Sequence, residues 1–282
     1  MKGYGWANGA ASILNAISTW KGSAFGIDLK TRAEVDLDKS GCVKGDVPGV
    51  DTRLIERCVE LVLERLGYVY GGTVRTYSDI PVASGLKSSS TAANAVVLAT
   101  LDALDEEMDL FQAARIGVDA AKSVGVTITG ALDDALASML GGIVVTDNRE
   151  MLLLRHEEFH RSVMLLIPEQ KFFSKDTNVT DSRVIAPLAD VAFELAMRGD
   201  YGRAMTLNGF AYCVALDLPT QPLILALRAG AEGVSLSGTG PAYAAIIAED
   251  KMDELDASWG VLGGRVIRTK ANNRKASKGR GI

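Results

Sequence analysis

The chain has 282 residues, enough for about two domains of roughly 150 residues or one large one. Hydrophobic residues make up 48% and charged residues 23%, ordinary globular values that exclude a disordered chain. A formal net charge of −5, from 30 basic and 35 acidic residues, argues against a general nucleic-acid binder.

The N-terminal stretch MKGYGWANGAASILNAI is broken by Gly, Asn and Ser and lacks a secretory apolar core. No run reaches the ~18 apolar residues that span a bilayer. Cys42, Cys58 and Cys213 lie far apart with no CxxC pair, which speaks against a disulfide framework or a Cys-rich zinc site. These features predict a soluble protein of the cytoplasm.

Apolar residues at helical spacing (Leu54, Ile55, Cys58, Val59, Leu61, Val62, Leu66) predict a helix over 52–66 that ends at Gly67. A strand follows around Thr73–Tyr77. After the loop 81–90 come helices to about Leu104, from Leu110 to Val124, and from Leu132 to Leu140. Gly141-Gly142 stop the third before a short strand, Ile143–Thr146. Met151–Arg155 and Val163–Ile167 read as strands joined by a charged stretch, and the domain boundary is placed there. Thr180 or Asp181 would cap a helix to Arg198. Helices over Tyr201–Asp217 and Pro222–Ala229 precede strands Gly233–Ser237 and Ala242–Ala248, a helix Met252–Leu262 and a strand Val266–Thr269. The expected organisation is α+β throughout: an N-terminal domain over 1–157, a C-terminal domain over 158–270, and a polar basic tail over 271–282. No acidic residue follows Asp256, and the basic cluster there reads as a strand end and a frayed, solvated tail.

Three segments could carry chemistry. Ser84-Gly85-Leu86-Lys87-Ser88-Ser89-Ser90-Thr91 lies at a helix start, where unpaired N–H groups and the positive end of the macrodipole suit a phosphate. Its hydroxyls could also reach a magnesium ion, or the segment could be a serine-rich helix cap and nothing more. Asp133 and Asp134 follow Gly130-Ala131-Leu132 at another helix start. They read either as an acidic first turn that complements the dipole or as a carboxylate that orients a hydroxyl and takes its proton. Ser235–Ala242, with Gly238, Thr239 and Gly240, permits close backbone approach to a ligand and equally makes a plain turn.

Several motifs are excluded. The chain contains no Gly-Lys dipeptide, so there is no Walker A loop, and neither Gly3-Tyr4-Gly5 nor Gly238-Thr239-Gly240 extends to GxGxxG. His156-Glu157-Glu158-Phe159-His160 spells H-E-x-x-H. It sits in a short link between two apolar strand-like segments, where a zinc-protease helix has no room.

Taken in order, the pieces resemble the GHMP small-molecule kinases. Gly85–Thr91 looks like that superfamily's G-L-x-S-S-[SA] phosphate loop and Ser237–Ala242 like its C-terminal glycine loop, with Asn8–Ser12 standing where its first motif would be. Within the superfamily the likeness is to the archaeal-type shikimate kinases. It is carried by Asn15–Ile17, Lys21–Asp28, Thr127–Asn148, Asn208-Gly209 and Ser235–Tyr243, and extends over roughly residues 3–270.

The resemblance implies a two-domain GHMP kinase fold with a ribosomal-S5-like N-terminal and a ferredoxin-like C-terminal domain. It implies ATP-dependent phosphorylation of shikimate, with ATP and Mg2+ required. The ATP site would comprise Val82, Ala83, Ser84, Gly85, Leu86, Lys87, Ser88, Ser89, Ser90, Thr91 and Ala92. Asp133 would be the catalytic carboxylate and Ser89 would face the metal. Lys21 and Arg149 are the basic candidates for the substrate carboxylate, with Gly238, Thr239 and Gly240 beside them. Three departures stand out: Lys87 puts a charge where a small residue is commoner, Thr91 replaces Ala, and no Glu occurs between Gly117 and Asp133. The alternatives are another GHMP kinase, such as a homoserine kinase, or a silent ligand sensor on the same fold.

Overall fold

Two long antiparallel strands open the chain, β1 (Lys2–Leu14) and β2 (Lys21–Asp38), in register from Lys2 opposite Asp36 to Leu14 opposite Ser23. The computed structural model describes residues 1–81, 84–127, 129–169 and 182–280. Sequence patterning assigns no strand before residue 52. The alternating run Ala33-Glu34-Val35-Asp36-Leu37-Asp38, whose apolar side chains are the buried ones, was readable and was missed. Over the first part Gly, Ala and Ser break the alternation. The structure supplies the reason. The second half of β1 is buried on both faces, which removes the period-2 signal. One of those faces lies against helix α2 (Ser88–Leu104) so closely that a Cβ on Gly5 would stand 2.5 Å from the Ala95 carbonyl oxygen.

The first sheet has the order β11-β1-β2-β4-β3, with β5 (Ile143–Asp147) paired to β2 and β6 (Leu152–Glu157) to β5. β3 is Val43–Gly45, β4 is Gly71–Ser78 and β11 is Ser277–Lys278. Helices α1 (Arg53–Leu66), α2, α3 (Leu110–Ser123) and α4 (Leu132–Leu140) close the core over it. α2 is buried from Ala93 to Leu101, as a helix with an almost wholly apolar surface must be.

The second sheet is antiparallel, in the order β10-β7-β9-β8, from β7 (Ser162–Ile167), β8 (Gly233–Leu236), β9 (Tyr243–Ile246) and β10 (Arg265–Lys270). Helices α5 (Ala186–Met197), α6 (Tyr201–Ala215), α7 (Gln221–Arg228) and α8 (Met252–Gly260) accompany it. The chain changes sheet between Glu157 and Ser162. The Thr180 or Asp181 cap lies outside the described residues. One apolar cluster takes Ile13, Phe25 and Ile143 from the first half and Val163, Met205 and Ala244 from the second, so the two halves share a core.

The expected frayed tail does not hold for residues 271–280. Ser277 and Lys278 pair with Trp6 and Gly5 as β11, Ala276 is buried, and Asn272 Nδ2 donates to Asn8 Oδ1 at 2.6 Å. Charge pattern alone missed this because a run of basic residues does not show which distant groups will pair with it: Lys278 Nζ donates to the Glu106 carbonyl at 3.0 Å, and Arg280 lies over the Tyr4 ring. Replacing Asn272 by Ala leaves the buried Asn8 amide short of a partner, and the expected loss is about 1–3 kcal/mol in urea unfolding. Lys275→Ala, at an exposed position in the same segment, is expected to stay within about 0.5 kcal/mol.

Candidate active site

The chain enters α2 through Lys87, whose φ of 64° is left-handed, and no side chain caps the helix. Its first N–H groups are therefore left for another acceptor, and the first turn holds no acidic residue to fill that role. Ser89 is exposed at this mouth, with Ser88 and Ser90 half-buried beside it. Thr91 is turned inward, its hydroxyl donating to the carbonyls of Lys87 and Asn8 at 2.9 and 3.1 Å. Ser84 Oγ donates to the Pro81 carbonyl at 2.7 Å and shapes the loop. Val82 and Ala83 lie outside the described residues.

The loop is clamped from the C-terminal half. Ser237 Oγ donates to the Gly85 carbonyl at 2.9 Å and the Ala242 N–H to the Ser84 carbonyl at 3.0 Å. Gly85 has φ of 81°, and a Cβ there would lie 2.9 Å from the Gly240 carbonyl oxygen, so only glycine allows this approach. Gly238 is held by the β1 end: its N–H donates to Ser12 Oγ at 2.9 Å and its carbonyl accepts from Asn15 Nδ2 at 2.8 Å. The glycine turn thus supports the serine-rich loop directly. Gly240 faces Leu236 and Leu218, within the apolar interior.

A second helix starts in the same cleft. Ala131, also left-handed with φ of 49°, leads into α4 without a side-chain cap, and the first turn carries Asp133 and Asp134. The two carboxylates diverge. Asp133 is 3% exposed and accepts from Asn148 Nδ2 at 2.8 Å, while Thr146 Oγ1 donates to Asn148 Oδ1 at 2.7 Å. Gly22 makes room for it, since a Cβ at that position would lie 2.5 Å from Asp133 Cγ. Asp134 instead turns toward the phosphate loop, with its Oδ1 2.9 Å from Lys87 Nζ.

Burial, reinforced by the Asp134 charge, pushes the Asp133 carboxyl up to about 7, against the pull of Lys87 and the Asn148 amide. A carboxyl tuned this way takes a proton efficiently near neutrality. Tyr212 stands nearby, its hydroxyl donating to the Asn15 carbonyl at 3.0 Å and lying 2.6 Å from Ser18 Oγ. Burial raises its phenol, and the charge of Asp133 adds to that.

The two basic substrate candidates are less committed to the cleft. Lys21 pairs with Asp190 at 3.4 Å and lies over the Phe193 ring, and Arg149 is exposed over Trp20. Thr239 lies on the glycine turn itself. The H-E-x-x-H letters fall on the end of β6 and the following loop, with His156 Nε2 3.0 Å from the Gly141 carbonyl oxygen and His160 exposed. Among the described residues no group of three or more His, Cys, Asp or Glu side chains is placed to hold a metal. Sequence reading gave no role to Asn148, Gly22 or Tyr212. The one available signal was an amide directly after a buried strand, in Thr146-Asp147-Asn148.

Residues 53–142 match the N-terminal domain of the GHMP kinases. The shikimate kinase of Methanothrix thermoacetophila is 60% identical, covering 99% of this chain and 97% of its own. That of Methanosarcina mazei is 58% identical over 97% and 95%. The crystal structure of homoserine kinase from Cytophaga hutchinsonii superposes with a TM-score of 0.75 at 17% identity, covering 98% of this chain and 97% of that one, a likeness of fold alone.

The ionisation of Asp133 is testable by 13C NMR of its carboxyl carbon. A midpoint near pH 7 is expected. Asp134→Asn should move it down by removing the like charge, and Asn148→Ala should move it up by removing a donor to the charged form. The folded value lies above the ordinary 3.8, so the native state holds this proton more tightly than the unfolded chain. Stability from this group is therefore lost as pH rises from about 4 to about 7. Asp133→Asn should gain stability relative to the parent across that window in urea titrations.

Proposed function

The chain belongs to the family of the archaeal shikimate kinases, a branch of the GHMP kinases, and on that footing we propose that it transfers the γ-phosphoryl group of ATP to a ring hydroxyl of shikimate. The products are shikimate 3-phosphate, on the route to chorismate and the aromatic amino acids, and ADP. The observation that carries the mechanism is the pairing of two uncapped helix starts in one cleft: one bare of acid, the other presenting a buried carboxylate.

The N–H groups at the head of α2, with the hydroxyls of Ser88, Ser89 and Ser90, hold the phosphates of the donor. Gly85 and the Gly238 turn fix the loop that carries them. Asp133, its rotamer held by Asn148, orients the accepting hydroxyl and takes its proton as the oxygen attacks the γ-phosphorus. Hydroxyl, carboxylate and phosphate oxygens suit Mg2+, which usually keeps several waters and needs few protein ligands. Ser89 is the protein ligand assigned to it, and when bound the ion would neutralise phosphate charge. Lys21 and Arg149 are the residues assigned to the substrate carboxylate, together with Gly238, Thr239 and Gly240.

The homoserine kinase alternative rests on fold alone, and a silent sensor would not need the Asn148–Asp133 arrangement. No helix among the described residues is long and apolar enough to cross a membrane, and the three cysteines are free. A cytoplasmic enzyme acting on a small molecule accounts for both.

ADP release by the purified chain tests the reading: turnover is expected with shikimate and none with homoserine or mevalonate. Turnover on homoserine alone would overturn it. Asp133→Asn is expected to lower kcat by about 10²-fold or more with ADP affinity little changed. Ser89→Ala should weaken turnover most at limiting Mg2+. Its cost to folding should fall below the ~0.5–2 kcal/mol of a lost cap, since Ser89 does not cap α2.

A further inference from the structure

We propose that Lys87 is a second catalytic residue, whose ammonium, carried by the phosphate loop and braced by Asp134, contacts the phosphoryl group as it passes to the hydroxyl beside Asp133. The inference rests on the kinase reading above and adds a residue to its chemistry.

Lys87 opens α2 in a left-handed conformation uncommon for a residue other than glycine. That conformation accompanies a side chain folded into the cleft, only 7% exposed, with Nζ 2.9 Å from Asp134 Oδ1. The contact is one of charge, since Asp134 Oδ1 has no hydrogen-bond partner among the described residues. An ammonium carries three donors and a full positive charge, which suit the oxygens of a phosphoryl group. A pair kept only for stability would be replaced without loss by apolar side chains of similar volume. The third wall also accommodates the lysine: a Cβ on Gly238 would lie 3.0 Å from Nζ. The ammonium therefore stands where the phosphate loop, the acidic start of α4 and the glycine turn converge.

Charge explains the need for a cation there. Asp133 and Asp134 place two carboxylates beside the path of a phosphoryl group whose equatorial oxygens bear the charge of a loose transition state. Among the charges that act on Asp133, Lys87 is the cation, and the Tyr212 hydroxyl is a further titratable group that senses Asp133. In the transfer, a bond forms from the acceptor oxygen to the γ-phosphorus. The bond from that phosphorus to the β–γ bridging oxygen breaks, and its electron pair leaves with ADP. The hydroxyl proton goes to Asp133. Lys87 neither gains nor loses a proton; it offsets charge, as preorganised donors do in other transfers.

The competing account is that Lys87 only neutralises Asp134 in the folded chain. Lys87→Met, Asp134→Asn and the double variant separate the two, and the double variant remains informative where Lys87→Met fails to fold, because it leaves no unpaired charge. If Lys87 is catalytic, Lys87→Met and the double variant both lose about 100-fold or more in kcat. By calorimetry they keep ADP affinity but lose the extra affinity of ADP with aluminium fluoride, a mimic of the transferring phosphoryl. Wild-type turnover by the double variant, or undiminished fluoride-complex affinity, would overturn the proposal. Failure of the unmodified chain to turn over shikimate would count against the substrate reading. The fluoride arm, run without acceptor, would still judge Lys87.

Discussion

Helix N-termini without caps leave donors to be satisfied from outside the helix, and the whole site follows from two such termini meeting in one cleft. α2 and α4 both begin on a left-handed residue, Lys87 and Ala131, and neither has a side-chain cap. What differs is the first turn. α4 carries its own carboxylates, which complement its dipole, while α2 carries serines and no acid. One terminus is thereby left for an anion and the other is already supplied with negative charge. In the proposed mechanism this difference sorts a donor phosphate and an acceptor hydroxyl to opposite sides.

Placing the carboxylate deep in the cleft sets its chemistry. A buried carboxyl resists ionisation, and Asp133 is further opposed by Asp134. Asn148 and Thr146 keep it oriented, and the missing side chain of Gly22 gives it space. The same burial that makes the group a useful base costs stability in the folded chain. Such local cost is tolerated because Asp133 is flanked by Leu132, Ala135 and Leu136, which belong to the large apolar core of the first half.

The two halves also meet through a polar seam. Asn15 N–H donates to Asn208 Oδ1, Asn208 Nδ2 donates to Ser235 Oγ, and the Gly238 turn is tied to Ser12 and Asn15. Through Ser237 the seam reaches the phosphate loop itself. The loop's shape is therefore a property of both halves, and neither would present it alone. The C-terminal segment contributes in the same way from the other side, where Asn272 completes the partners of the buried Asn8.

By itself the sequence determined whatever depends on neighbours along the chain. Helices α1 to α4 were legible because one face or most of their surface is buried, and glycines end α1 and α4. The serine loop and the Asp133-Asp134 pair were legible as helix starts, though each also read as a plain cap or turn. Tertiary structure alone decided the rest. Unlike the second half of β2, which alternates at Ala33–Asp38 and was legible, β1 has no readable period because its second half is buried on both faces and Gly5 serves the approach of α2. The same reason hides Asn148 behind Asp133, Lys87 beside Asp134, and Asn272 against Asn8. Each is a pairing across sequence distance, and composition and periodicity carry no information about which distant residue will supply the missing partner.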